Sequence, residues 1–331
     1  MVEPIDGFTY AVAAVLVGGA FWWVLSRWLP DGALAATLTF RAYESGVSRR
    51  ETLPAVLVAS LSLVPVVTNG PDSVGFGWAV VTGIFAGGLL VGATAIANRP
   101  RANLLEAGSG DGLPTSGPSA VGGTAAADGE ALTTPVTGRD AVCYTASVAQ
   151  YKQQPLRPYG TYFTTDFTIE RTPFAVETDD GTANVDPEGA WLSLAAGSPT
   201  DTETLPEGTT TGGPAEHELV VEEGEPVPEH LRGDRAPFPN LPLTTDGRAE
   251  RELRFKENVV EPGESVVVAG EATVGGEYGR PLLTCEREGA FVARGPDEEV
   301  AAGLRKATGR NLWIGAVLAG LGAVGIALLA L

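Results

Sequence analysis

The sequence predicts multi-pass α-helical membrane segments plus a mainly-β soluble domain, a small β barrel or sandwich. Three observations predict it. Apolar runs near 20 residues in length stand at both ends of the chain, at 8–29, 74–97 and 312–331, and such runs can cross a bilayer. Between them lie short runs of β-branched and aromatic residues, densest over 132–189. Gly, Pro and Asp clusters separate those runs, as turns require.

Composition narrows the function classes. The 331 residues carry a formal net charge of -19, and only three of the 22 basic residues are lysine (Lys152, Lys256, Lys306). An acidic, arginine-using surface suits an archaeal halophile, whose salty cytosol screens repulsion between carboxylates. An ordinary acidic protein is the alternative. With no basic patch, a phosphate backbone is a poor partner, so nucleic-acid binding is not expected. Cys143 and Cys285 are the two cysteines, each inside a strand-like run, with no CxxC spacing. They read as buried structural thiols, with a disulfide, or a metal site shared with His217 and His230, left open. No metal, cofactor or catalytic residue is expected.

Residues 1–29 contain the first transmembrane helix. Glu3 and Asp6 precede it where a signal peptide wants positive charge, and Trp22, Trp23 and Trp28 gather at its Arg27 end like an interfacial belt. Residues 30–51 form a cytoplasmic loop bearing Arg41, Arg49 and Arg50, either as plain loop or with a weak interfacial helix. Residues 52–97 hold helices two and three. The second run, 53–68, is short and carries Pro54 and Pro65. In the third, Gly83/Gly87 and Gly88/Gly92 are four apart, a spacing that lets helices approach closely, although Gly is common in membrane helices anyway. Gly315, Ala319, Ala323 and Ala327 repeat that spacing in the last run, so helix–helix association through Gly83, Gly87, Gly315, Ala319 and Ala323 is expected.

Residues 98–130, rich in Gly, Ala, Ser and Thr, read as a linker with one short strand near 121–126. The β domain spans 131–295. Strands are expected at 141–151, 162–170, 174–177 and 183–186, the last two joined by the turn Asp179-Asp180-Gly181. A Thr, Pro, Gly and acid-rich stretch at about 195–247 reads as a mobile insertion, with a short strand at 218–223. Strands resume at 252–260, 265–273, 282–287 and 291–294. Residues 296–331 form a C-terminal helix and transmembrane helix four, opened by Pro296 and three acids at the positive end of the helix dipole. Arginines flank one side of the runs, at Arg27, Arg41, Arg49, Arg50, Arg99, Arg101, Arg305 and Arg310. The positive-inside rule then places a multi-pass chain in the cell membrane, N-terminus outside and soluble domain cytoplasmic.

Several stretches resemble a known family. Leu132-Thr133-Thr134-Pro135-Val136-Thr137-Gly138 followed by Cys143-Tyr144 resembles the opening of the GIDE domain, also called the BAM ("beside a membrane") domain. Residues 174–189, with Asp180-Gly181 and Val185-Asp186-Pro187 in order, resemble its hairpin, and 252–271, with Glu261-Pro262-Gly263-Glu264, its later strand pair. The likeness covers roughly 102–295. It implies a domain shared with membrane E3 ubiquitin ligases of the MULAN/MAPL type, in which a RING finger holds two zinc ions with about eight Cys/His ligands. Two cysteines cannot supply them, so the ligase chemistry does not carry over with the domain.

Other enzymatic readings rest on less. Asp179 and Asp180 could serve as acid and base, but aspartates in that setting form turns. No nucleophile elbow, HExxH or phosphate loop is present. The expectation is therefore a non-catalytic docking or scaffold module for an unidentified protein partner or lipid headgroups at the bilayer. E3-like transfer and a membrane hydrolase using Cys143 are the alternatives. Pro135, Gly138, Asp180, Gly181, Asp186, Pro187, Gly263 and Gly270 are expected to set turns rather than bind.

Overall fold

The structure, a computed structural model, describes residues 73–108, 113–114, 116–152, 161–194, 217–232, 237–274 and 280–330. The expected runs at 8–29 and 53–68, and the loop between them, lie outside the described residues. Two compact units divide the chain: a helical one containing 73–97 and 308–331, and a β unit containing 98–307.

The multi-pass helical expectation is corrected. The described residues contain two long helices, α1 (Ser73–Gly108) and α2 (Asp297–Ala330), and are otherwise mainly β. Among them only Val80–Glu106 is long and apolar enough to cross a membrane. Within the helical unit the helices meet through their small residues. A Cβ on Gly315 would stand 2.7 Å from the Gly92 backbone nitrogen, and one on Gly322 2.6 Å from Phe85 Cβ. The pair in contact is thus Gly88/Gly92 against Gly315 and Ala319. Gly83 and Gly87 have open space around them, and Ala323 is exposed. A period of four marks a small-residue face without saying which of two such faces finds a partner. Val80, Ile84, Leu89 and Ile96 of α1, and Leu312, Trp313, Val317, Leu321 and Val324 of α2, are left exposed.

The β unit is a five-stranded barrel with a second sheet attached. β1 (Gly117–Ala127) pairs antiparallel with β6 (Phe174–Thr178), β6 with β7 (Gly181–Asp186), and β7 parallel with β12 (Pro281–Thr284). β12 pairs antiparallel with β11 (Ser265–Val274), which returns to β1. Counting these five alone, the order runs first, second, third, fifth, fourth and back to first, with one parallel pair. That is the connectivity of the OB barrel, a five-stranded Greek key. β13 (Phe291–Arg294) shares an edge of β11, and β8 (Trp191–Ser193) adds to it in parallel.

Alternation along β11 explains the layers. Val266 and Val268 point into the barrel with Val121, Phe174, Val185, Leu283 and both cysteines. Val267 and Ala269 point out, where Leu104, Leu105, Val300 and Leu304 of the helices cover them. A strand buried on both faces reads as a continuous apolar run, here VVVA. The same packing corrects the linker expectation. α1 continues past Pro100 to Gly108 because Leu104 and Leu105 have a surface to bury, and Arg101 lies 4.0 Å over the Trp191 ring while donating to Asn98 Oδ1 at 2.7 Å. The short strand expected at 121–126 is the 11-residue strand that closes the barrel.

Two insertions into the barrel build the second sheet. β2 (Leu132–Thr133), β3 (Asp140–Ala141), β4 (Cys143–Lys152) and β5 (Thr161–Arg171) lie between β1 and β6. β9 (His217–Val221) and β10 (Leu253–Val260) lie between β8 and β11. The sheet runs β5-β4-β10-β9. Its core unites Tyr144, Ala146, Val148, Leu253, Phe255 and Val259 with Val227, Leu231, Phe238 and Ala249. The last four correct the mobile-insertion expectation for 217–232 and 237–247, while 195–216 lies outside the described residues. Averaged composition hid a few widely spaced apolar anchors; Phe238 meets Phe255 with ring centroids 5.7 Å apart.

Candidate functional site

A cavity of about 570 Å³ opens where the β2–β3 loop overhangs the second sheet. Thr133 to Gly138 form one wall, Tyr144 of β4 with Thr168 and Glu170 of β5 the floor, and His230 and Pro237 the other side.

The loop is rigid because its polar groups have partners. β2 and β3 pair through Leu132–Ala141 and Thr133–Asp140. Within the turn, Gly138 N–H donates to the Thr134 carbonyl at 3.0 Å and Arg139 N–H to Thr134 Oγ1 at 3.0 Å. Gly138 has φ +69, a left-handed conformation that a Cβ disfavours. From below, the wholly buried Glu257 of β10 accepts from Val136 N–H at 2.7 Å and from the Thr137 hydroxyl at 2.6 Å. Because that hydroxyl gives its proton to Glu257, the 2.9 Å contact between Thr134 and Thr137 must have Thr134 as donor. A chain of donors thus runs from Arg139 N–H through two threonines to one carboxylate. Such short bonds to a carboxylate are the strong, charge-assisted kind, and they offset the cost of burying it.

The floor has two groups facing each other across strands, Tyr144 and Glu170, which are register partners. Tyr144 is 7% exposed, and its phenol is pushed up to about 12, first by burial, then by Glu170 and Glu257. It remains protonated at neutral pH, and its hydroxyl has no hydrogen-bond partner among the described residues. Glu170 is exposed and likewise makes no hydrogen bond or ion pair among them. Elsewhere several of the β unit's charges are engaged. Arg254 pairs with Glu218 at 3.0 Å and stacks 3.9 Å over Tyr162, which in turn donates to Glu252. Arg139 pairs with Glu261 at 2.7 Å.

The residues singled out in the sequence fall as follows. Cys143 and Cys285 are free thiols in the barrel core, both pushed up to about 12, chiefly by burial. A nucleophile must be a thiolate, and this keeps Cys143 protonated at neutral pH. His217 sits on β9 opposite Glu257, and His230 at the cleft rim, so the structure does not assemble the two histidines with the two cysteines. No group of three or more metal-ligating side chains occurs among the described residues. Asp179 and Asp180 occupy the two-residue turn between Thr178 and Gly181, and Asp180 N–H donates to Thr178 Oγ1 at 3.2 Å. Asp186 accepts from Glu188 N–H at 3.1 Å, Pro187 offers its carbonyl to Arg171, Gly263 lies between β10 and β11, and Gly270 lies within β11. Pro135 and Gly138, expected only to set turns, also line the cavity. Glu257, Tyr144 and Glu170 were missed as a site. The one legible signal is an acid on the apolar face of an alternating strand, Glu257 in line with Leu253, Phe255 and Val259.

No family model matches the chain, and no curated protein or solved structure matches it.

Proposed function

We propose that the chain is a membrane-anchored, cytoplasmic β domain whose cleft is a non-catalytic docking site for a protein partner. The observation carrying this reading is the cleft itself: a wall held in place by Glu257 and a floor presenting hydrogen-bonding groups that have no partner among the described residues. Rigid walls with unmet polar groups favour binding, because little order is lost when a partner arrives. Anchoring rests on the apolar stretch of Val80–Glu106 that precedes Arg99 and on the exposed apolar side chains of both helices, for which a bilayer is the natural environment. Arg99 and Arg305 flank the apolar parts of the helices, in keeping with a cytoplasmic face. The GIDE/BAM resemblance agrees with a β domain beside a membrane. The ligase and hydrolase alternatives draw no support from Cys143 and Cys285, both buried in the barrel.

A photo-crosslinking residue placed at Thr168 or Pro237 tests the reading in native membranes at high salt. Discrete protein adducts are expected there, absent when the same probe replaces Asp180, and lost when Glu257→Gln loosens the wall. Equal labelling at all three positions would remove the cleft as the docking site.

A further inference from the structure

The docking reading leaves open what kind of group the cleft receives, and the cleft's own chemistry answers that. Among the described lining residues the one carboxylate is that of Glu170. A second carboxylate, Glu257, lies beneath the wall with both oxygens already used. Tyr144, more than nine-tenths buried, lines the same space, and its phenolic oxygen has no partner among the described residues. Its upward-shifted ionisation has burial as first cause and these two carboxylates as the others, so the field there is negative. An anion entering would meet that field unfavourably; a cation would be drawn in.

Shape selects among cations. A volume of about 570 Å³ is far more than a metal ion needs, and the described residues supply no ligand cluster for one. Acceptors are spread over the floor and one wall: the Glu170 carboxylate, the Tyr144 oxygen, and the hydroxyls of Thr133 and Thr168. Pro135, Val136 and Pro237 add apolar surface. A planar guanidinium on an aliphatic stem has five donors for such acceptors and is weakly hydrated, so it leaves water more readily than an ammonium.

Resting on the docking reading, we propose that the cleft receives an arginine side chain of the partner protein, paired with Glu170 and hydrogen-bonded to Tyr144. Nothing covalent is involved, and the partner's recognition sequence is basic where it meets this face.

The test uses the full chain in lipid nanodiscs, titrated by fluorescence anisotropy with a dye-labelled glycine peptide bearing one central arginine. The same peptide with citrulline, a neutral isostere, runs beside it. The arginine peptide is expected to bind at least about tenfold tighter, as loss of a charge-assisted bidentate contact implies. Glu170→Gln should abolish that preference, Tyr144→Phe should reduce it, and Asp180→Asn, which changes net charge equally outside the cleft, should leave it intact. Glu170 is exposed, so its variant is not expected to unfold the sheet. Equal binding of arginine and citrulline peptides overturns the arginine proposal while leaving docking in place. An arginine preference that survives Glu170→Gln, or no binding of either peptide, overturns it as well. Loss of the position-specific crosslinks described above would instead overturn the docking reading.

Discussion

In the barrel, Phe174, Leu283, Val266 and Val268 fill an interior that five strands close without a free edge. In the four-stranded sheet, Phe255, Leu253 and Val148 form an equally buried layer, but its lid is a stretch of chain with little regular structure, and its flank is held by one carboxylate. The first region is stabilised almost wholly by apolar burial, which is indifferent to direction. The second depends on directional bonds that must all be made at once. The difference teaches where a binding function can sit. A closed barrel core offers no access, whereas a polar lattice can hold a loop open over a cleft.

Truncating the barrel core should produce the largest effect. Phe174→Ala removes a fully buried ring and is expected to cost about 3–5 kcal/mol, read as a fall in the denaturant midpoint of the whole β unit. If the second sheet instead stayed folded while the barrel melted, the two regions would be separate folding units.

Next comes Glu257→Gln. The neutral amide keeps at most one of the two bonds as it stands, because its nitrogen cannot accept from Val136 N–H and the Thr137 hydroxyl would have to turn round to accept from it; losing a charge-assisted bond costs about 1–3 kcal/mol. Hydrogen exchange should quicken at Val136 and Gly138 while β1 and β11 amides keep their protection. Uniform acceleration would mean that the carboxylate supports the whole unit rather than its loop.

Alkaline pH probes both regions, and the two thiols report the barrel's share. Cys143 and Cys285 are raised from 9.0 to about 12 on folding, so above pH 9 the unfolded chain sheds protons that the folded one keeps. Stability is therefore full below pH 9 and falls toward pH 12, by up to about 1.4 kcal/mol per pH unit per thiol. Replacing both by alanine should reduce that slope, measured as the midpoint against pH, and leave the share that Tyr144 and Tyr162 of the second sheet add above pH 10; an unchanged slope would assign it to those tyrosines alone.

The smallest effect belongs to Gly138→Ala. Open space surrounds the position, so the cost is that of a left-handed backbone alone, about 1 kcal/mol. The cleft should keep its form, and crosslinking from Thr168 should persist.

Most strands were legible from β-branched runs bounded by turns, since that pattern is local: the hairpin at 174–186 follows from Asp179-Asp180-Gly181, and the strand at 265–274 from its run of valines. Less legible was the Gly- and Ala-rich β1, which scores as linker because small residues have weak strand preference. It becomes a strand by pairing with Ser265–Ala272 on one edge and Phe174–Glu177 on the other. The ordered half of the insertion escaped notice for a related reason: Val227, Leu231, Phe238 and Ala249 have no common period.

Composition and local pattern settle that this chain is acidic, rich in short strands, and bears a long apolar helix, because charge, β-branching and run length are properties of neighbours in sequence. Barrel closure, the choice of Gly88 over Gly87 at the helix contact, and the meeting of Glu257 with Thr137 across 120 residues belong to the folded chain. Each depends on which distant surfaces come together, and a carboxylate becomes an anchor only once it is buried beneath donors that have no other partner.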